Sequence, residues 1–165
     1  MRTAGIAAGL ALAAVLVLAF RVPASGQELG AGVRMVAAAP GELHVPDGRA
    51  FLAADGLTPG GRSARAALPV RNITRGAVSV RLRARGGGRD LDRGLHVELR
   101  AAGRRLVSGP LTRLRRWSRP VRVERGGEQT IRARAWIADD AADTAGRRAS
   151  VQLELDADLA ETSHR

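Results

Sequence analysis

The sequence predicts an all-β fold, a two-sheet antiparallel sandwich of jelly-roll type behind an N-terminal signal peptide. Three observations carry it: apolar and polar residues exchange at period two in several short runs, Gly and Pro clusters punctuate them, and no long helix-period stretch appears after residue 26. The last of these runs, Val151, Leu153 and Leu155 against Gln152, Glu154 and Asp156, has the pattern of a half-buried strand.

The chain starts with Met1 and Arg2, followed by an uncharged apolar run from Ile6 to Phe20 and a polar stretch holding Ala24 and Gly26. Basic start, apolar middle and small residues make the three-part layout of a secretory signal. Residues 1–26 are therefore expected to be a signal peptide. The apolar run falls short of the ~20 residues of a comfortable membrane span. Contact with a membrane is expected only if that segment stays uncleaved. Residues 27–158 then form a single β-sandwich domain, and residues 159–165 a polar tail.

All 27 basic residues are arginine, and there is no cysteine. Without cysteine the domain has no disulfide staple, no thiolate nucleophile and no cysteine metal site. Beyond residue 26, 25 arginines face 16 carboxylates, a net charge of +9. Such a charge favours anionic surroundings: wall polymers, acidic polysaccharide, lipid head groups or nucleic acid. With two Phe, two Trp and no Tyr, the core has to be built from Val, Leu, Ile and Ala.

Taken in order, Val33 to Ala39 and Glu42 to Val45 read as short strands around the Pro40-Gly41 turn. Phe51-Leu52 reads as another, ended by Asp55-Gly56. Ala66 to Val70 and Ala77 to Leu82 alternate clearly, and the Asn72-Ile-Thr-Arg-Gly76 link between them reads as a hairpin connection. Leu95 to Leu99 and Arg104 to Val107 form a hairpin about Ala102-Gly103. Leu111 to Trp117 is a short helix or an irregular crossing. Val121 to Val123 is followed by Gly126-Gly127, and Ile131 to Ile137 has the strongest alternation of all.

Leu57-Thr-Pro-Gly-Gly-Arg-Ser63, followed by Leu68-Pro-Val-Arg-Asn-Ile-Thr-Arg-Gly-Ala-Val-Ser-Val80, resembles the TasA/camelysin family of bacterial secreted surface and biofilm-matrix proteins. Leu95 to Leu99, Ser108-Gly-Pro-Leu111 and Val123 to Thr130 continue the likeness. The chain departs from it at Gly61, where the family carries an acidic residue, in its scarce aromatics and in its arginine-rich charge. The resemblance implies a β-sandwich and an association with matrix fibres. Part of the family is classed as metallopeptidases.

The residues themselves give no chemistry of that kind. His44, His96 and His164 are isolated, there is no His-Glu-x-x-His, and no serine stands in an elbow motif. Gly86-Gly87-Gly88-Arg89-Asp90 lacks the ending of a phosphate loop and reads as a sheet-edge turn. Asp139, Asp140 and Asp143 supply oxygen ligands without calcium-loop spacing and are a weak metal candidate. No cofactor and no enzymatic activity are expected. The densest basic cluster is Arg113, Arg115, Arg116 and Arg119 around Trp117, a candidate patch for an anionic surface. No nucleic-acid partner is expected, because single-strand recognition wants several stacking platforms and only Trp117 is near.

These readings give an exported, non-catalytic structural or assembly module of the bacterial envelope or extracellular matrix, secreted or held at the cell surface. The alternative is a soluble extracellular protein binding an anionic wall polymer or polysaccharide. Self-assembly is expected through Gln27 to Val36, added as an extra strand to a neighbouring subunit's sheet.

Overall fold

The computed structural model describes residues 30–46, 48–87 and 91–160. The expected signal segment, residues 27–29, Asp47, Gly88 to Asp90 of the glycine-rich loop, and residues 161–165 with His164 lie outside the described residues.

Among the described residues, ten strands build two five-stranded sheets: β1 (Ala31–Ala38), β2 (Leu43–His44), β3 (Ala50–Leu57), β4 (Ala64–Asn72), β5 (Val78–Gly86), β6 (Leu95–Ala101), β7 (Arg104–Pro110), β8 (Val121–Val123), β9 (Glu128–Ile137) and β10 (Arg148–Leu159). The first sheet has the order β3-β1-β10-β5-β8 and the second β2-β4-β9-β6-β7. The all-β two-sheet sandwich is as the alternating runs predict. Neighbours are antiparallel with one exception: β1 runs parallel to β10, with Met35 beside Val151 and Ala37 beside Leu153. From β4 onwards the chain passes between the sheets at every connection but β6–β7, an interleaving expected of a jelly roll.

The period-two pattern decides which face is buried. Val78, Val80, Leu82 and Ala84 of β5 point into the sandwich, and Ser79, Arg81 and Arg83 point out. Opposite them Ile131, Ala133, Ala135 and Ile137 of β9 close the other side. Met35, Leu68, Val97, Leu99 and Leu153 add to a core in which, among the described residues, no aromatic side chain is fully buried. Burying a side chain of this size stabilises by about 1.5–3 kcal/mol, so many aliphatics replace the missing aromatic mass.

Two local readings are corrected. Asn72 to Gly76 is not a hairpin, because β4 belongs to the second sheet and β5 to the first. It is an arch between sheets, held by a fully buried Asn72. Its Nδ2 donates to the carbonyl oxygens of Gly76 at 2.7 Å, Val123 at 3.1 Å and Glu124 at 3.1 Å. Its Oδ1 accepts from the amide and the hydroxyl of Thr74, both at 2.8 Å. Nor does Asp55-Gly56 end a strand. β3 continues to Leu57, and Gly56, at φ +75°, lies in the stretch where its register with β1 shifts. A positive φ there suits glycine, as in a β-bulge. Gly30 packs so close that a Cβ on it would lie 2.4 Å from the Gly56 carbonyl carbon.

β1 lies between β3 and β10 with Ala31, Val33 and Met35 buried. Its residues from Ala31 onward thus complete the domain's own sheet, not a neighbour's. At the other end of the chain, β10 runs on to Leu159, one residue past the expected domain boundary.

Candidate functional site

The four arginines of the predicted basic patch are all exposed, on and just after a short 3-10 helix. Leu111–Arg115 is a 3-10 helix whose Leu111 and Leu114 are buried, which turns Arg113, Arg115 and Arg116 outward. Arg115 is tied to the largely buried Asp92, and Arg113 donates to the Ser108 carbonyl at 3.2 Å. The Ser118 hydroxyl accepts a hydrogen bond from the Leu82 amide at 3.1 Å, and the Ser118 amide donates to the Leu82 carbonyl at 2.8 Å. That pairing lays Trp117 against the outer face of β5. The Arg83 guanidinium sits 4.3 Å from the indole centroid and that of Arg81 5.6 Å. Trp117 therefore meets arginines of a different strand, not its neighbours in sequence. Arg116 and Arg119 remain exposed.

The same outer face carries a ladder of ion pairs. In the antiparallel register of β5 and β10, Arg81 stands opposite Asp156 and Arg83 opposite Glu154. Arg81 reaches Asp156 at 2.6 Å and Asp158 at 2.7 Å, and Arg83 reaches Glu154 at 2.8 Å. Arg85 also pairs with Glu154. Hydrogen bonds from Arg83 and then Arg85 hold the Glu154 carboxyl below the usual range, and the bond to Glu154 raises Arg83. The arginines of β5 are thus neutralised in place.

The outer face of the second sheet is different. Arg65 of β4 stands opposite Arg134 of β9, and Arg132 of β9 opposite Arg100 of β6. Arg105 of β7 faces Arg100 in turn. The carboxylate of Glu98 makes the ion pairs of this group, at 3.6 Å from Arg100 and 3.9 Å from Arg105. Arg65 and Arg132 have no ion-paired partner among the described residues. Arg134 lies 5.1 Å from the Trp136 ring, which meets His96 edge-on at 5.5 Å. Between these side chains runs an open trough of about 600 Å³, lined by Arg65, Ala67, Glu98, Arg100, Arg132 and Arg134. Like charges directly opposite on a sheet are destabilising unless something compensates them.

The remaining candidates do not converge. Asp139, Asp140 and Asp143 are exposed, and no group of three or more potential metal ligands forms among the described residues. His44 is exposed on the two-residue edge strand β2, and His96 stands on the outer face beside Trp136. The second-sheet arginines are visible in the sequence only as the polar half of each alternation. The pairing of Arg65 with Arg134 depends on register, which no local pattern encodes.

No protein-family model matches the sequence, and no curated protein matches it significantly.

Proposed function

We propose that the chain is an exported, non-catalytic module of the bacterial envelope or extracellular matrix that works by holding an anionic polymer. One observation carries this reading. Arg81, Arg83 and Arg85 on the first sheet are matched by carboxylates, while on the second Arg65 stands opposite Arg134 and Arg132 opposite Arg100, with Glu98 as their acidic neighbour. A polyanion laid on that face would supply the missing counter-charge and turn mutual repulsion into binding energy. The signal-like N-terminus, the cysteine-free sandwich and the TasA/camelysin-like turns belong to the same reading.

The test is cosedimentation of the purified domain with a soluble polyuronate, a polyphosphate and uncharged dextran. Binding to a polyanion that weakens as salt rises, with none to dextran, is the expected result. Retention on dextran alone, or on nothing, overturns it.

A further inference from the structure

We infer that the second-sheet face is a site for a linear acidic polysaccharide, laid diagonally along Arg65, Arg134, Arg132, Arg100 and Arg105. The inference rests on the proposed reading and names its ligand class and its path.

The path follows from register. Arg65 and Arg134 share one row across β4 and β9, and Arg132, Arg100 and Arg105 share a row across β9, β6 and β7. Arg134 and Arg132 are two residues apart on β9, so both point outward from the same strand. The five guanidiniums step across four strands. With strands ~4.8 Å apart and a rise of ~3.4 Å per residue, the diagonal spans roughly 16 Å. Glu98 occupies the corner on one side of this diagonal and Ala67 the corner on the other. A carboxylate at one flank repels a polyanion that strays, and a methyl group at the other leaves the trough floor low and apolar.

The ligand class follows from what accompanies the charges. Ala67 lines the trough, and one row beyond Arg134 the half-buried Trp136–His96 pair adds carbon surface at the end of the path. A sugar ring has C–H faces to lay against it, as well as a carboxylate for the guanidinium fork. Arg134 is held over Trp136, which reduces the ordering cost of engaging it. A bare phosphate chain uses the charges and leaves this carbon surface wet. Nucleic acid would want further stacking platforms along the path, and its rows hold only arginine, Glu98, Ser108 and Ala67.

The experiment is calorimetric titration of the folded domain with a polyuronate oligosaccharide and with polyphosphate of equal charge. It compares wild type, Arg132→Glu, Arg132→Thr and Arg122→Glu, the last on the outer face of the first sheet. The expected result is polyuronate binding that falls about ten-fold or more in Arg132→Glu, less in Arg132→Thr, and is unchanged in Arg122→Glu. Equal losses in Arg122→Glu and Arg132→Glu overturn the path. Polyphosphate binding about ten-fold tighter than polyuronate, with the same dependence on Arg132, overturns the polysaccharide class and leaves the anionic-polymer reading standing. Absence of binding to both polyanions in the wild type overturns that reading as well.

Discussion

The side-chain amide of Asn72 donates to the main-chain carbonyl of Val123, 51 positions further along the chain, at 3.1 Å. Through this bond the β4–β5 arch is fastened to the start of the β8–β9 arch, and the main-chain amide of Asn72, donating to the Gly127 carbonyl at 2.9 Å, repeats the link. Asn72→Ala strips several buried groups of their partner at once, so it should destabilise by about 2–4 kcal/mol. Urea unfolding of the variant checks this, and a loss below about 0.5 kcal/mol would remove Asn72 as the clamp.

Gly30 and Gly56 set a second limit. A Cβ on Gly30 lies 2.4 Å from backbone, where nothing flexible can yield. Gly30→Ala should cost about 1–3 kcal/mol, whereas Gly41→Ala, with open space around it, should cost far less. Thermal melts of the two variants side by side separate them.

Acid should loosen the first sheet's ladder. Glu154 has a folded-state pKa below its unfolded value, so its contribution is fully present above the unfolded value and is lost as pH falls through the folded one. Wild type and Glu154→Gln should therefore differ in stability at neutral pH and converge in acid, below the ordinary glutamate range of about 4.3. Denaturation measured between neutral and strongly acidic pH checks it; parallel curves would show that Glu154 carries no linkage.

The second sheet should respond in the opposite sense. Arg132→Thr removes a like charge facing Arg100 and adds a β-branched residue, which should stabilise the free domain by about 0.2–1 kcal/mol. The gain should shrink as salt screens the face. Melting curves at low and moderate salt test both statements, and a destabilised variant would mean that Arg132 is already compensated.

Removal of residues 1–39 deletes β1 from between β3 and β10, along with buried Ala31, Val33 and Met35. The truncated chain should fail to fold. A sharp thermal transition in it, with β-rich circular dichroism, would show that β1 is dispensable and free to pair elsewhere.

Alternation in β5, β9 and β10 is legible in the sequence because one face of each strand is core and the other is solvent. The β6–β7 hairpin is legible too, since Ala102 and Gly103 both take positive φ in a tight turn. Connections between sheets are not. An Asx-type turn at Asn72 has the same local sequence whether the next strand pairs with the last or crosses the core. The Arg65–Arg134 and Arg100–Arg132 pairs are hidden for a related reason: cross-strand neighbours are set by register over dozens of residues. Sequence proximity instead favours Arg113 to Arg119, of which Arg113 is engaged by the Ser108 carbonyl and Arg115 by Asp92.

β1 and β10 pair in parallel within the first sheet, so the opening strand of the domain waits for its closing one. Until residues beyond Arg148 are available, β1 has β3 on one side and an unfilled place on the other. The first sheet cannot be completed progressively from the N-terminus, and its contacts of greatest sequence separation form last or in the rate-limiting step. Were the chain exported as proposed, such wiring would postpone compaction until translocation is nearly finished. It would keep the chain threadable while it is being moved.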